Sequence, residues 1–106
     1  MPEALAALGE AARLAPGDPR FAYVYGVALH DAGKRGEATK TLEAALARHP
    51  YDREILLALA SYERDAGNVS KAAQRAKLLA RLEPDNAELA QFARELDAAA
   101  PRRPAR

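Results

Sequence analysis

Between Pro16 and Pro50 the chain reads PGDPRFAYVYGVALHDAGKRGEATKTLEAALARHP, and between Pro50 and Pro84 it reads PYDREILLALASYERDAGNVSKAAQRAKLLARLEP. Laid on one another at a shift of 34 residues, these stretches bring Asp31-Ala32-Gly33 onto Asp65-Ala66-Gly67 and Asp18 onto Asp52, with Asn86 one period further on. Ala4, Ala38 and Ala72 fall in the same register, as do Pro16, Pro50 and Pro84. Several special residues sharing one period mark an internal repeat, and a period of this length is the signature of stacked supersecondary units.

Each period reads as two helices and a tight turn. Over residues 19–32, Phe21, Ala22, Tyr25, Ala28, Leu29 and Ala32 recur at steps of three and four, and Gly33 supplies a left-handed stop. A second helix near 36–48 carries the stripe Ala38, Leu42, Ala45 and Leu46, and Pro50 ends it by restricting the residue before it. The next period repeats the plan, with Ile55, Leu56, Leu59, Ala60 and Tyr62 before Gly67, then Ala72, Ala76, Leu79 and Ala80 before Pro84. Asp18, Asp52 and Asp85 each stand just ahead of a helix, where a carboxylate caps free N–H groups. At the front, residues 3–14 match the second helix of a repeat whose first helix is missing. At the back, residues 86–98 form a single helix with Arg94 where its predecessors have Gly26 and Ala60. A small residue permits close helix crossing, so an arginine there is expected to face water, as on a terminal cap. Residues 99–106 read as a disordered basic tail.

Composition agrees. The 106 residues hold 27 Ala and 14 Leu against 3 Val and 1 Ile, a profile of stacked helices and a poor one for a sheet. Sixteen basic and fifteen acidic residues leave a net charge of +1, so no bulk pull toward nucleic acid or anionic lipid is expected, and Arg102, Arg103 and Arg106 read as a solubility feature. There is no cysteine, hence no disulfide frame or thiolate metal site. No stretch is apolar enough to span a bilayer, and no leader precedes the first helix, so the chain reads as soluble, cytoplasmic by default and periplasmic if its parent carries an upstream signal.

These residues resemble the tetratricopeptide repeat, a 34-residue helix-turn-helix with a small residue in the first helix, alanine in the second and a closing proline. Gly26, Leu29, Ala38, Leu42, Ala45 and Pro50 match in the first full repeat, and Leu56, Leu59, Ala60, Ala72 and Pro84 in the second, which departs in having Glu63 where an aromatic is usual. The resemblance covers residues 3–98. It implies an all-α fold of about six helices, antiparallel helix-turn-helix repeats stacked as a short right-handed α-solenoid. The expected organisation is one domain over residues 1–98, with 3–14 closing a truncated repeat, 19–50 and 53–84 the full repeats, and 86–98 a capping helix. Gly26, Ala38, Ala45, Pro50, Ala60, Ala72 and Pro84 are then repeat-packing residues. A narrower likeness, carried by residues 21–30, 46–53 and 64–68, is to the C-terminal repeats of bacterial multi-repeat proteins, some of them joined to multihaem cytochrome domains. No Cys-x-x-Cys-His haem motif occurs here, and no cofactor is expected.

The family implies a concave groove lined by the first helix of each pair. Carried over by phase, the lining is Arg20, Tyr23, Val24, Val27 and His30, then Glu54, Leu57, Ala58, Ser61 and Arg64, then Glu88, Gln91, Phe92 and Glu95. An apolar floor ringed by charges suits a protein or peptide segment. The competing reading is that these residues pack beneath neighbouring repeats or sit half-buried. The Lys and Asn carboxylate clamp of chaperone-tail binders is absent, since Tyr23, Val27, Leu57 and Ser61 occupy the comparable faces. The serines are Ser61 and Ser70 and the histidines His30 and His49, and nothing in the sequence ties a serine to a histidine as nucleophilic catalysis requires. His30 beside Asp31 reads as a solvated histidine, and His49 as a group favouring the negative end of its helix. Glu10 with Arg13 and Glu37 with Lys40 read as surface ion pairs, and Tyr51 and Tyr62 as inter-helix packing. The expected function is a non-enzymatic interaction module. The alternative is a structural C-terminal cap or docking segment of a larger protein, whose open N-terminal face, Leu5, Leu8 and Ala12, pairs with a second copy.

Overall fold

The computed structural model describes residues 2–101. Six α-helices follow one another: α1 (Pro2–Leu14), α2 (Pro19–Asp31), α3 (Arg35–Arg48), α4 (Arg53–Asp65), α5 (Val69–Leu82) and α6 (Ala87–Ala99). No strand occurs among the described residues, and the fold is all-α helix-turn-helix. None of these helices is long and apolar enough to cross a membrane. The expected basic tail falls mainly at residues 102–106, outside the described residues. The chain divides into two compact units, one ending at Leu59 and the other beginning at Ala60, so the boundary falls inside α4.

Two kinds of turn alternate. Gly33 and Gly67 follow α2 and α4 with φ of +84° and +87°, the left-handed conformation that a side chain disfavours. At the first, the Gly33 N–H donates to the His30 carbonyl at 3.0 Å and the Lys34 N–H to the Leu29 carbonyl at 2.9 Å. At the second, Gly67 donates to Arg64 at 3.0 Å and Asn68 to Glu63 at 2.7 Å. Both close the helix as a Schellman motif and satisfy its last carbonyls.

The other turn occurs three times, one period apart. The N–H groups of Asp18, Asp52 and Asn86 donate to the carbonyls of Ala15, His49 and Glu83, at 3.0, 3.1 and 3.0 Å. Pro16, Pro50 and Pro84 therefore sit at the second position of a four-residue turn, where their fixed φ fits, and all three are exposed. The residue that closes each turn then caps the next helix. Asp18 accepts from the Arg20 N–H, Asp52 from the Ile55 N–H and Asn86 from the Leu89 N–H. The expectation that Asp85 is a cap is corrected, because Asn86 holds the position equivalent to Asp18 and Asp52.

In the first unit, α2 packs against both α1 and α3. Leu29, Leu42, Ile55, Leu56 and Leu59 are 0–2 % exposed there, each full burial being worth about 1.5–3 kcal/mol. Gly26 marks the closest approach: a Cβ built on it would lie 2.7 Å from both Cγ and Cδ2 of Leu42. A second close approach was not anticipated. Gly9 of α1 lies beneath Tyr25, and a Cβ there would stand 3.0 Å from the ring. His49 does more than sit at a helix end, for its Nε2 donates to the Pro16 carbonyl at 3.2 Å and joins two successive proline turns. Phe21 and Tyr51, expected to pack, are 39 % and 67 % exposed.

In the second unit, α5 packs against α6 around Ala72, Ala73, Ala76, Ala93 and Leu96, with Val69, Ala80 and Phe92 at the margin. The departure noted at position 63 has a partner. Glu63 is 2 % exposed, and both its carboxylate oxygens accept from Arg75 of α5, at 3.2 Å each. Two parallel bonds to a planar guanidinium make a buried carboxylate tolerable where an aromatic ring would otherwise fill the space.

Candidate interaction surface

On α2, burial separates two faces. Gly26 and Leu29 are buried on one, while Arg20, Tyr23, Val24, Val27 and His30 follow one another at steps of three and four on the other. Val24 is 46 % exposed, and Tyr23 and Val27 are half-buried. The helix thus presents apolar surface on the side its own packing does not use. At its start, the Arg20 guanidinium holds the Asp18 carboxylate through bonds of 2.8 and 3.1 Å. That hydrogen bonding, with the Arg20 backbone N–H, keeps the Asp18 carboxyl below its usual value and raises Arg20 above its own. At its end, His30 is not the solvated group expected: its side chain is 20 % exposed, with Nδ1 3.9 Å from an Asp31 carboxylate oxygen.

The first unit also contributes Glu54, Leu57 and Ala58. Glu54 is exposed beside Arg53, with 3.5 Å between their charged groups, and Leu57 and Ala58 are half-buried. Ser61, Arg64, Glu88, Gln91, Phe92 and Glu95 belong to the second unit. There the structure brings Arg64 and Phe92 together, the guanidinium carbon 5.6 Å from the ring centroid, a cation–π geometry worth about 0.5–1 kcal/mol at an exposed site. Arg64 also donates to Asp65 at 3.2 Å, and Gln91 to Glu95 at 3.1 Å. Ser61 is half-buried and Glu88 exposed.

Of the repeat-packing residues, Gly26, Ala38, Ala45, Ala60 and Ala72 are buried, and Pro50 and Pro84 lie exposed in their turns. Arg94, at the position of Gly26 and Ala60, is exposed and donates to Gln91 at 2.8 Å. Glu10 and Arg13 form the anticipated surface pair. On α1, Leu5 and Leu8 are half-buried and border a hollow of about 210 Å³ with Ala28 and Asp31 of α2.

Chemically, these surfaces offer apolar contact edged by charge. Among the described residues no three histidine, aspartate or glutamate side chains gather as a metal would require. Sequence reasoning missed Gly9 beneath Tyr25 and Arg75 on Glu63. For the second, a charge in a position usually aromatic was the available signal, but its counter-ion lies twelve residues away on another helix. Residues 19–61, which span α2, α3 and most of α4, match the family described as the tetratricopeptide repeat. No curated protein matches the chain.

Proposed function

For a chain whose residues 19–61 match the tetratricopeptide repeat, a fold that suggests protein–protein interaction in general, we propose a specific reading: a non-enzymatic module that holds a peptide or partner segment against the free face of α2 and the part of α4 that belongs to the same unit. The observation that carries it is the apolar face of α2. Val24 is nearly half exposed and Tyr23 and Val27 half-buried on a helix whose opposite face is already filled by Leu42. Desolvating these side chains supplies affinity, and Arg20 and Glu54, both exposed and in the same unit, select by charge.

The test is capture of partners from source-organism extract by the wild-type chain, by Tyr23→Glu/Val27→Glu and by the more conservative Val24→Glu. Retention by the wild type and loss in both variants, with helicity and melting nearly unchanged, is the expected result. Retention by Val24→Glu and by the double variant equal to that of the wild type overturns the assignment. A second reading, that the chain docks a second copy or a larger protein through α1, draws support from half-buried Leu5 and Leu8 beside the hollow they share with Ala28. Light scattering across a wide concentration range separates the two, because a strict monomer throughout counts against self-association.

A further inference from the structure

Between α5 and α6, on the face of α6 opposite Glu88, Phe92 and Glu95, lies an open hollow of about 520 Å³. Its floor is Ala80, Ala90 and Ala93, and its rim is Gln74 with three cations, Lys77, Arg81 and Arg94. At 100° per residue, Ala90, Ala93 and Arg94 centre about 180° away from Glu88, Phe92 and Glu95, so this surface is separate from the α6 face expected to line a groove. None of the residues bordering it is acidic. Lys77 is paired with Asp97 at 2.6 Å, and Arg94 has only the neutral Gln91 amide oxygen. Among the described residues, two of the three cations therefore have no carboxylate partner.

The repeat itself supplies a template for what fits there. Moved back by two periods, Ala90, Ala93 and Arg94 fall on Ala22, Tyr25 and Gly26, while Lys77, Ala80 and Arg81 fall on Gly9, Ala12 and Arg13. In the first unit Gly9, Ala12 and Arg13 of α1 and Ala22 and Tyr25 of α2 border a space closed by Pro16 and by an amphipathic helix, α3, through Thr41, Ala44, Ala45 and Arg48. In the second unit the corresponding hollow is bordered, among the described residues, by α5 and α6. One difference decides the chemistry of an occupant. Gly26 is met by the apolar Leu42, whereas Arg94 puts a long cation where that leucine would come. A helix seated here needs a small apolar stripe over the alanines and carboxylates opposite Arg94 and Arg81.

We propose that the α5–α6 hollow is a docking site for an acidic amphipathic helix of a partner protein. Residues 99–106 do not suit it, since they bring Arg102, Arg103 and Arg106 and no carboxylate. The same charge logic makes binding salt-sensitive, because the rim pairs remain near solvent.

Two synthetic peptides of roughly 18 residues test it, each with Ala and Leu at i, i+3, i+4 and i+7 and either Glu or Lys at every other position. Binding to the full chain is followed by fluorescence anisotropy at low and high salt, and the contact is located from backbone amide shifts. The Glu peptide is expected to bind at least about tenfold more tightly than the Lys peptide, to weaken with salt, and to shift Ala80, Ala90 and Ala93. Arg81→Glu/Arg94→Glu, both exposed positions, is expected to reduce that affinity about tenfold or more with helicity intact. Tyr23→Glu/Val27→Glu is expected to leave it unchanged, so the two surfaces stand or fall separately. Equal binding of the two peptides, binding by neither, or indifference to the arginine substitutions overturns the proposal. So does self-association of the chain that the same substitutions abolish, which would assign the face to a second copy.

Discussion

Gly26 and Gly36 sit in consecutive helices and respond oppositely to the same substitution. At Gly26 a methyl group would come within 2.7 Å of Leu42, itself fully buried and without room to retreat. At Gly36, near the start of α3, nothing lies within 4 Å. Gly26→Ala is therefore expected to lower stability despite alanine's higher helix propensity, and Gly26→Leu to lower it by roughly 1–3 kcal/mol. Gly36→Ala is expected to raise it by roughly half a kcal/mol. Denaturant unfolding of the three variants checks both signs, and a neutral Gly26→Leu would mean that the repeat phase is misplaced. The Glu63–Arg75 pair gives a second expectation at this scale. Arg75→Ala strands a buried carboxylate and is expected to be destabilising by about 3–5 kcal/mol, whereas Glu63→Leu/Arg75→Leu recovers most of that loss. A double variant no more stable than Arg75→Ala would show that the carboxylate's isolation is not the source of the loss.

The helices were legible because their ends are decided locally. A glycine forced to positive φ after α2 and α4, a proline in the second place of each intervening turn, and an Asp or Asn closing that turn are all matters of adjacent residues. Asp85 was misread for a local reason too. It precedes a helix as a cap should, but the turn begun at Glu83 closes one residue later, on Asn86. Asp18 adds a titration to its cap. Its carboxyl is held below the usual 3.8 first by the Arg20 side chain and then by the Arg20 N–H. A carboxyl depressed on folding lends stability that is fully present above its unfolded value and is lost as the pH falls through the folded one. Asp18→Asn keeps an oxygen acceptor for the cap but neither the charge nor the titration. Its melting temperature is expected to fall below wild type at neutral pH, and the gap to close in acid below the ordinary carboxylate range. A gap that persists unchanged in strong acid would contradict the role given to the Asp18 charge.

At the scale of the whole molecule, the 34-residue period carried the fold class and the likeness to the tetratricopeptide repeat that residues 19–61 match, because it shows itself in the order of residues without reference to any contact. What the sequence did not reveal depends on side chains meeting across helices. Gly9 beneath Tyr25, Arg75 on Glu63, and His49 on the Pro16 carbonyl each join residues that no period or helical step relates. The candidate surface was legible as a stripe along α2, yet its exposure was not, since Val24 and Phe21 stand out while His30 is largely covered. On the proposed function, the free face of α2 holds a protein partner. The most direct measurement is quantitative capture from source-organism extract with wild type, Tyr23→Glu/Val27→Glu and Arg81→Glu/Arg94→Glu side by side, each first confirmed to melt as the wild type does. A protein kept by the wild type and lost only from the α2 variant is the predicted result. A partner bound by the α2 variant as strongly as by the wild type would contradict it.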